Sequence, residues 1–200
     1  MNAEFSVATW FNVGLLQLVA AAAVVAAVAA STTRHRVAWS ALAVAVFLLS
    51  LDEKISIHEA LPELLGMNQG SMLTHEWLVP GIIIALIALA VLTVLMRPLP
   101  RIVIIGLLIS MAVYGAGAVG VELLSGLAVR TLEIEHPLRQ LMPVWEWIEE
   151  SLEMLGCVLA LVVIVRHLER VGIVDVQRWR RTAETPATPE GAAGVDGRRS

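Results

Sequence analysis

Four carboxylates in PVWEWIEESLEML, those of Glu146, Glu149, Glu150 and Glu153, lie three, four and seven residues from the first. At about 100° per residue they share one third of a helix circumference. The run that follows, LGCVLALVVIV, is apolar enough to lie in lipid. Carboxylates at the edge of hydrocarbon are costly unless they are paired, protonated or metal-bound. Three further segments carry groups of the same kind: Asp52, Glu53, His58 and Glu59 in LDEKISIHEALPE, His75 and Glu76 in THEW, and Glu122 in GVELLSG. Glutamate, aspartate and histidine from neighbouring helices bind Zn, Mn, Fe or Cu, and di-iron bundles are built from such residues. The candidate metal ligands are Asp52, His58, Glu59, His75, Glu122, Glu146 and Glu150, although the strict Glu-x-x-His spacing is absent.

The elements that must position these groups are membrane helices. The 200 residues are 58% hydrophobic and 16% charged, with a mean hydropathy of +0.77, outside the range of an ordinary soluble domain. There is no basic patch suited to nucleic acid. One cysteine, Cys157, excludes an internal disulfide and suits a small packing role in mid-membrane. Apolar runs bounded by charge or proline predict five spans: Ala8 to Ala30, Val37 to Ile57, Trp77 to Met96, Ile102 to Leu124, and Glu146 to Val165. No Lys or Arg precedes the first run, which is too long for a signal peptide, so a retained helix is expected there. That helix is almost pure Ala, Val and Leu, and its expected role is packing. The fourth span carries Ala112, Ala116 and Gly120 at four-residue spacing, a small-residue face suited to a second copy or a partner membrane subunit.

Arginines set the orientation. Arg34, Arg36, Arg97, Arg101, Arg166 and Arg170 fall on one side of alternating spans, and only Lys54, Arg130 and Arg139 on the other. The positive-inside rule then places the N-terminus outside and the C-terminus in the cytoplasm, in the inner (plasma) membrane. Thirteen of the eighteen acidic residues lie at or toward the outer face, so the candidate site opens outward. By helical rise they form a deeper layer (Asp52, Glu53, Glu149, Glu150, Glu153) and an upper one (His58, Glu59, His75, Glu76, Glu122, Glu146). On a straight second helix one ion cannot collect both Asp52 and His58, unless that helix breaks before Pro62.

FLLSLDEKISIHEAL, GAGAVGVELLSG and WIEESLEMLG resemble the recurring segments of an uncharacterised family of small bacterial polytopic membrane proteins, over roughly residues 37 to 170. The resemblance implies architecture and no activity. The paired histidines of the ceramidase and adiponectin-receptor hydrolases are missing, and five spans are too few for that group.

The expected architecture is thus an all-α bundle over residues 1–170, a cytoplasmic amphipathic basic segment over 171–181 and a disordered tail over 182–200. The leading functional expectation is an outward-facing divalent or di-metal centre, with no reaction specified. The alternatives are a proton- or cation-linked transport component, in which Glu146, Glu149 or Glu150 and Glu153 step inward, and a structural ion-pair network using Arg130, Arg139 and Lys54. Thr74 suits an N-cap for the third span. His136 reads as a further ligand or an ordinary loop residue, and His35 and His167 as residues of the cytoplasmic interface without a ligand role.

Overall fold

A computed structural model describes residues 7–67, 75–133 and 135–174. The Thr74 cap, most of the basic segment and the tail lie outside the described residues.

The chain is all-helical among those residues. Its order is α1 (Val7–Ala29), α2 (Thr33–Ile55), α3 (Ile57–Leu64), α4 (Leu78–Met96), α5 (Arg101–Gly115), a π-helical segment (Ala116–Val121), α6 (Glu122–Thr131), α7 (Pro137–Gln140) and α8 (Met142–Arg170). Three helices are long and apolar enough to cross a membrane: Val7–Ala29, Leu78–Met96, and the continuous Arg101–Thr131 that joins α5, the π segment and α6. α2 and α8 are of comparable length and carry the charged groups.

Helix ends follow local chemistry. The Thr32 side chain accepts a hydrogen bond from His35 N at 3.2 Å and starts α2 after a three-residue turn, which folds α1 and α2 into an antiparallel hairpin. Pro98 and Pro100 make the corresponding turn between α4 and α5, where proline cannot continue one helix but can open the next. The two turns meet, with the His35 ring Nε2 2.9 Å from Pro98 O. At the same end His167 of α8 lies against Trp39 of α2, ring centroids 5.1 Å apart. Neither histidine is placed as a ligand, as expected for this arginine-rich end.

α1 is the central helix. It packs along α2 on one side and α8 on the other, α5 lies beyond α8, and α4 lies outside α2. Half of the most apolar window of α1 is buried inside the protein, against 11% for α4, which presents most of its surface outward. Ala23, Ala26 and Ala27 give α1 its narrow waist, so that Ala38, Trp39, Leu42, Met96, Leu107 and Ile164 close over it in one core.

Close approach between α5 and α8 uses glycines other than those at the four-residue spacing. A Cβ on Gly156 would sit 2.8 Å from Tyr114 N, and one on Gly117 2.7 Å from Glu149 O, whereas Gly115 and Gly120 meet nothing within 4 Å. Ala112 and Ala116 are exposed. The fourth-span stripe therefore points away from the bundle, and Gly106, Ser110 and Gly117 are the small residues spent on α8.

Candidate functional site

The polar groups gather at the end of the bundle opposite the arginine turns, and their hub is a residue of the helix expected only to pack. Asn12 of α1 is 1% exposed. Its Nδ2 donates to Glu153 Oε2 of α8 at 2.9 Å and to Glu53 Oε1 of α2 at 3.3 Å. Its Oδ1 accepts from the Cys157 thiol at 3.6 Å. Tyr114 of α5 donates its hydroxyl to the other oxygen of Glu53 at 3.3 Å. A single carboxamide thus ties two acidic side chains to the central helix, and four helices contribute to one buried polar group.

Local sequence builds this arrangement. α1, α2 and α8 meet along small side chains, which allows a short amide to reach two neighbours. Ser50, one turn before Lys54, donates to Val13 O at 3.4 Å and fixes the α1–α2 register beside Asn12. Gly156 lets α8 approach the backbone at Tyr114, and Gly117 lets the π segment approach Glu149 and Glu153, a Cβ there lying 3.2 Å from Glu153 Cγ. π-helical turns recur inside α-helices at functional sites because the extra residue re-aims the side chains that follow. Glu122 is the first residue after this one.

Above the hub the acidic groups continue toward the polar end. Glu149 lies one helical turn before Glu153 and shares a side-chain hydrogen bond with Glu122. Glu122 Oε1 is 3.6 Å from His75 Nε2. Glu53, Glu149, Glu150 and Glu122 are the charges that Glu153 faces. The Lys54 ammonium lies 4.1 Å above the Trp10 ring. Arg130 pairs with Glu76 at 2.7 Å, as the ion-pair expectation has it, whereas Arg139 donates to the Leu132 carbonyl. His136 caps α7, accepting from Leu138 N at 3.3 Å.

The second helix does break, and the break merges the two expected layers. α2 ends at Ile55, and Ser56 adopts the left-handed conformation (φ 49°, ψ 47°) before α3 begins. A non-glycine residue there is uncommon and is held by its surroundings. The turn brings His58 back onto Asp52: His58 N donates to Asp52 Oδ1 and the ring Nδ1 bonds Oδ2, both at 2.9 Å. The His58 ring packs against Trp77, centroids 4.4 Å apart. Burial opposes its protonation, but the bond to Asp52 and the nearby charges of Asp52, Glu59 and Glu122 outweigh that effect and raise its pKa above 6.5.

Of the seven candidate ligands, Asp52 and His58 are in contact, and so are His75 and Glu122. Glu59 and Glu146 are exposed, and Glu150 lies partly buried on α8. Among the described residues no three His, Cys, Asp or Glu side chains are grouped closely enough to hold one metal ion. The residues that composition alone did not single out are Asn12 and, as its partner, Tyr114. The available signal was a lone amide in an otherwise Ala, Val and Leu helix, where a polar group must find a partner.

A family model matches residues 2–168. The chain belongs to the family described as a domain of unknown function (DUF8692). No curated protein and no solved structure matches it. The matched region of the DUF8692 chain takes in Asn12, Glu53, Tyr114, Glu122 and Glu153 together.

Proposed function

We propose that this protein is a five-span membrane protein, N-terminus out and C-terminus in, whose buried carboxylates take up and release a proton or a monovalent cation from the outer face, as the coupling component of a transport process. The observation that carries this reading is the Asn12 bridge between Glu53 and Glu153, two acidic side chains held beside one another in a nearly water-free position. Like charges at such a site are relieved by a proton or a cation, and acidic groups within membrane helices mark ion pathways by default. The sequence His75, Glu122, Glu149, Glu153 provides stepping points from the polar end to the hub.

The path ends at the hub. Below Glu153 come Cys157, which is committed to Asn12, and Ser110, whose hydroxyl donates to Gly106 O at 2.8 Å; the rest is the apolar core around Trp39, Leu107 and Ile164. A site loaded from one side fits better than an open conduit.

The test is infrared difference spectroscopy of the carboxyl C=O region on protein reconstituted in vesicles and stepped across the neutral pH range, with ion flux recorded in parallel. The expected result is a protonation band lost in Glu153→Gln and shifted in Asn12→Leu, without free leakage of protons. An unchanged spectrum in both variants would defeat the proposal. A metal-dependent reading draws on a different observation: Asp52 and His58 are paired, His75 and Glu122 are paired, and Glu122 is near enough to act on both histidines. It calls for near-stoichiometric Zn, Mn, Fe or Cu in chelator-free protein, lost in a Glu122→Gln, Glu150→Gln double variant.

A further inference from the structure

α2 and α4 enclose an open groove of about 600 Å³ on the outside of the bundle, lined by Arg36, Ser40, Val44 and Leu48 of α2 and by Val91 and Leu95 of α4 among others. The four α2 residues recur every four positions, so they form one stripe along the helix. The order along that stripe is a guanidinium, a hydroxyl one turn deeper, and then only aliphatic side chains. From Arg36 to Leu48 the stripe is about 18 Å long. That is close to the depth of one leaflet, half of a hydrocarbon core about 30 Å thick.

The two polar members are available. No carboxylate among the described residues forms an ion pair with Arg36. The hydroxyls of Thr93, Ser110 and Thr131 donate to the carbonyl four residues back, the usual way for a helix to satisfy them in an apolar setting. Ser40, exposed at the groove floor, has no such bond. Its hydroxyl lies about 6 Å below the guanidinium along the axis.

We propose that this groove is a binding site for one anionic phospholipid of the inner leaflet, with the phosphate on Arg36, a glycerol ester on the Ser40 hydroxyl and an acyl chain along Val44 and Leu48 against Val91 and Leu95. The inference rests on the reading that α2 and α4 span the membrane with the arginine end inward. Arg34 and Arg97 at the same end add to the local positive potential, and Arg34 does not line the groove.

The experiment is native mass spectrometry of protein extracted in mild detergent and titrated with phosphatidylglycerol or phosphatidylcholine of matched chains. The expected result is one retained phosphatidylglycerol, held more tightly than phosphatidylcholine. Arg36→Gln should weaken retention about fivefold, the loss typical of one basic residue near an anionic surface. Ala41→Phe, which fills the groove without touching charge, should abolish it, and Arg34→Gln should leave it unchanged. Equal retention of both lipids, or equal loss in Arg34→Gln and Arg36→Gln, would overturn the site. Release of the protein from membranes by alkaline carbonate would instead overturn the membrane reading beneath it, and is recorded on the same preparation.

Discussion

The two ends of this bundle are built from the same helices and solved in opposite ways. At the arginine end, α1, α2, α5 and α8 meet through alanines, Trp39, Met96 and Ile164, and the polar contacts are few, such as His35 on Pro98 O. At the other end the same helices meet around Asn12, Glu53, Tyr114 and Glu153. Apolar packing of the first kind tolerates small adjustments. The second kind does not, because each polar atom left without a partner in a dry interior costs roughly 1–3 kcal/mol. A chain selected for stability alone could extend the first solution through its whole length. The retention of the second is what makes the polar end a candidate for function.

The sharpest way to break that contrast is Asn12→Leu. It removes the donor to two carboxylates at once and should destabilise the protein by about 3 kcal/mol or more, read as a lowered unfolding midpoint in detergent. Adding Glu153→Gln to it should recover part of the loss, since the hub then holds one fewer charge. Next in size is Gly156→Val, which places a side chain against the Tyr114 backbone and should cost about 1–3 kcal/mol, whereas Gly120→Ala, facing open space, should be neutral by the same measurement. If both glycine variants behave alike, α5 and α8 do not approach as described.

The smallest expected effect is a pH dependence of the α2–α3 turn. The folded pKa of His58 is raised above its unfolded value near 6.5, so its pair with Asp52 contributes stability that is fully present below 6.5 and is lost as pH rises through the folded value. Amide hydrogen exchange over residues 52–58 should therefore become faster above neutrality in the native protein, and Asp52→Asn should flatten that profile. Exchange that is already independent of pH in the native protein would remove His58 from the site.

Much of the frame was legible from the residues. Charge and proline bounded the apolar runs, and the long helices follow them within a few residues at most ends, because desolvated backbone leaves a helix little choice but to continue until a charge or proline intervenes. The continuous third and fourth apolar segments differ in this: the latter runs on to Thr131, past the expected end at Leu124, through a π turn that hydropathy does not register. The acidic side chains were legible as a set, and their pairing was not. Asp52 and His58 were assigned to separate layers by counting rise along a straight helix, and the Ser56 break reversed that order. Asn12 was overlooked because periodicity weighs the many apolar neighbours of a residue above the one group that must be satisfied. The Ala112, Ala116 and Gly120 stripe was a correct small-residue pattern on a face that the bundle leaves outward.

The π segment at Ala116–Val121 also has a consequence for the arithmetic of the gene. A π turn is an α turn with one residue too many, so it sets the phase of everything after it. Losing a single residue from AGAVGV would let the helix close into regular α geometry while turning Glu122, Ser125 and Arg130 by about 100° against α8. Such a deletion changes no side chain at the hub, yet it would swing Glu122 away from Glu149 and His75. In this stretch, chain length is itself constrained, and indels there should be scarcer than substitutions.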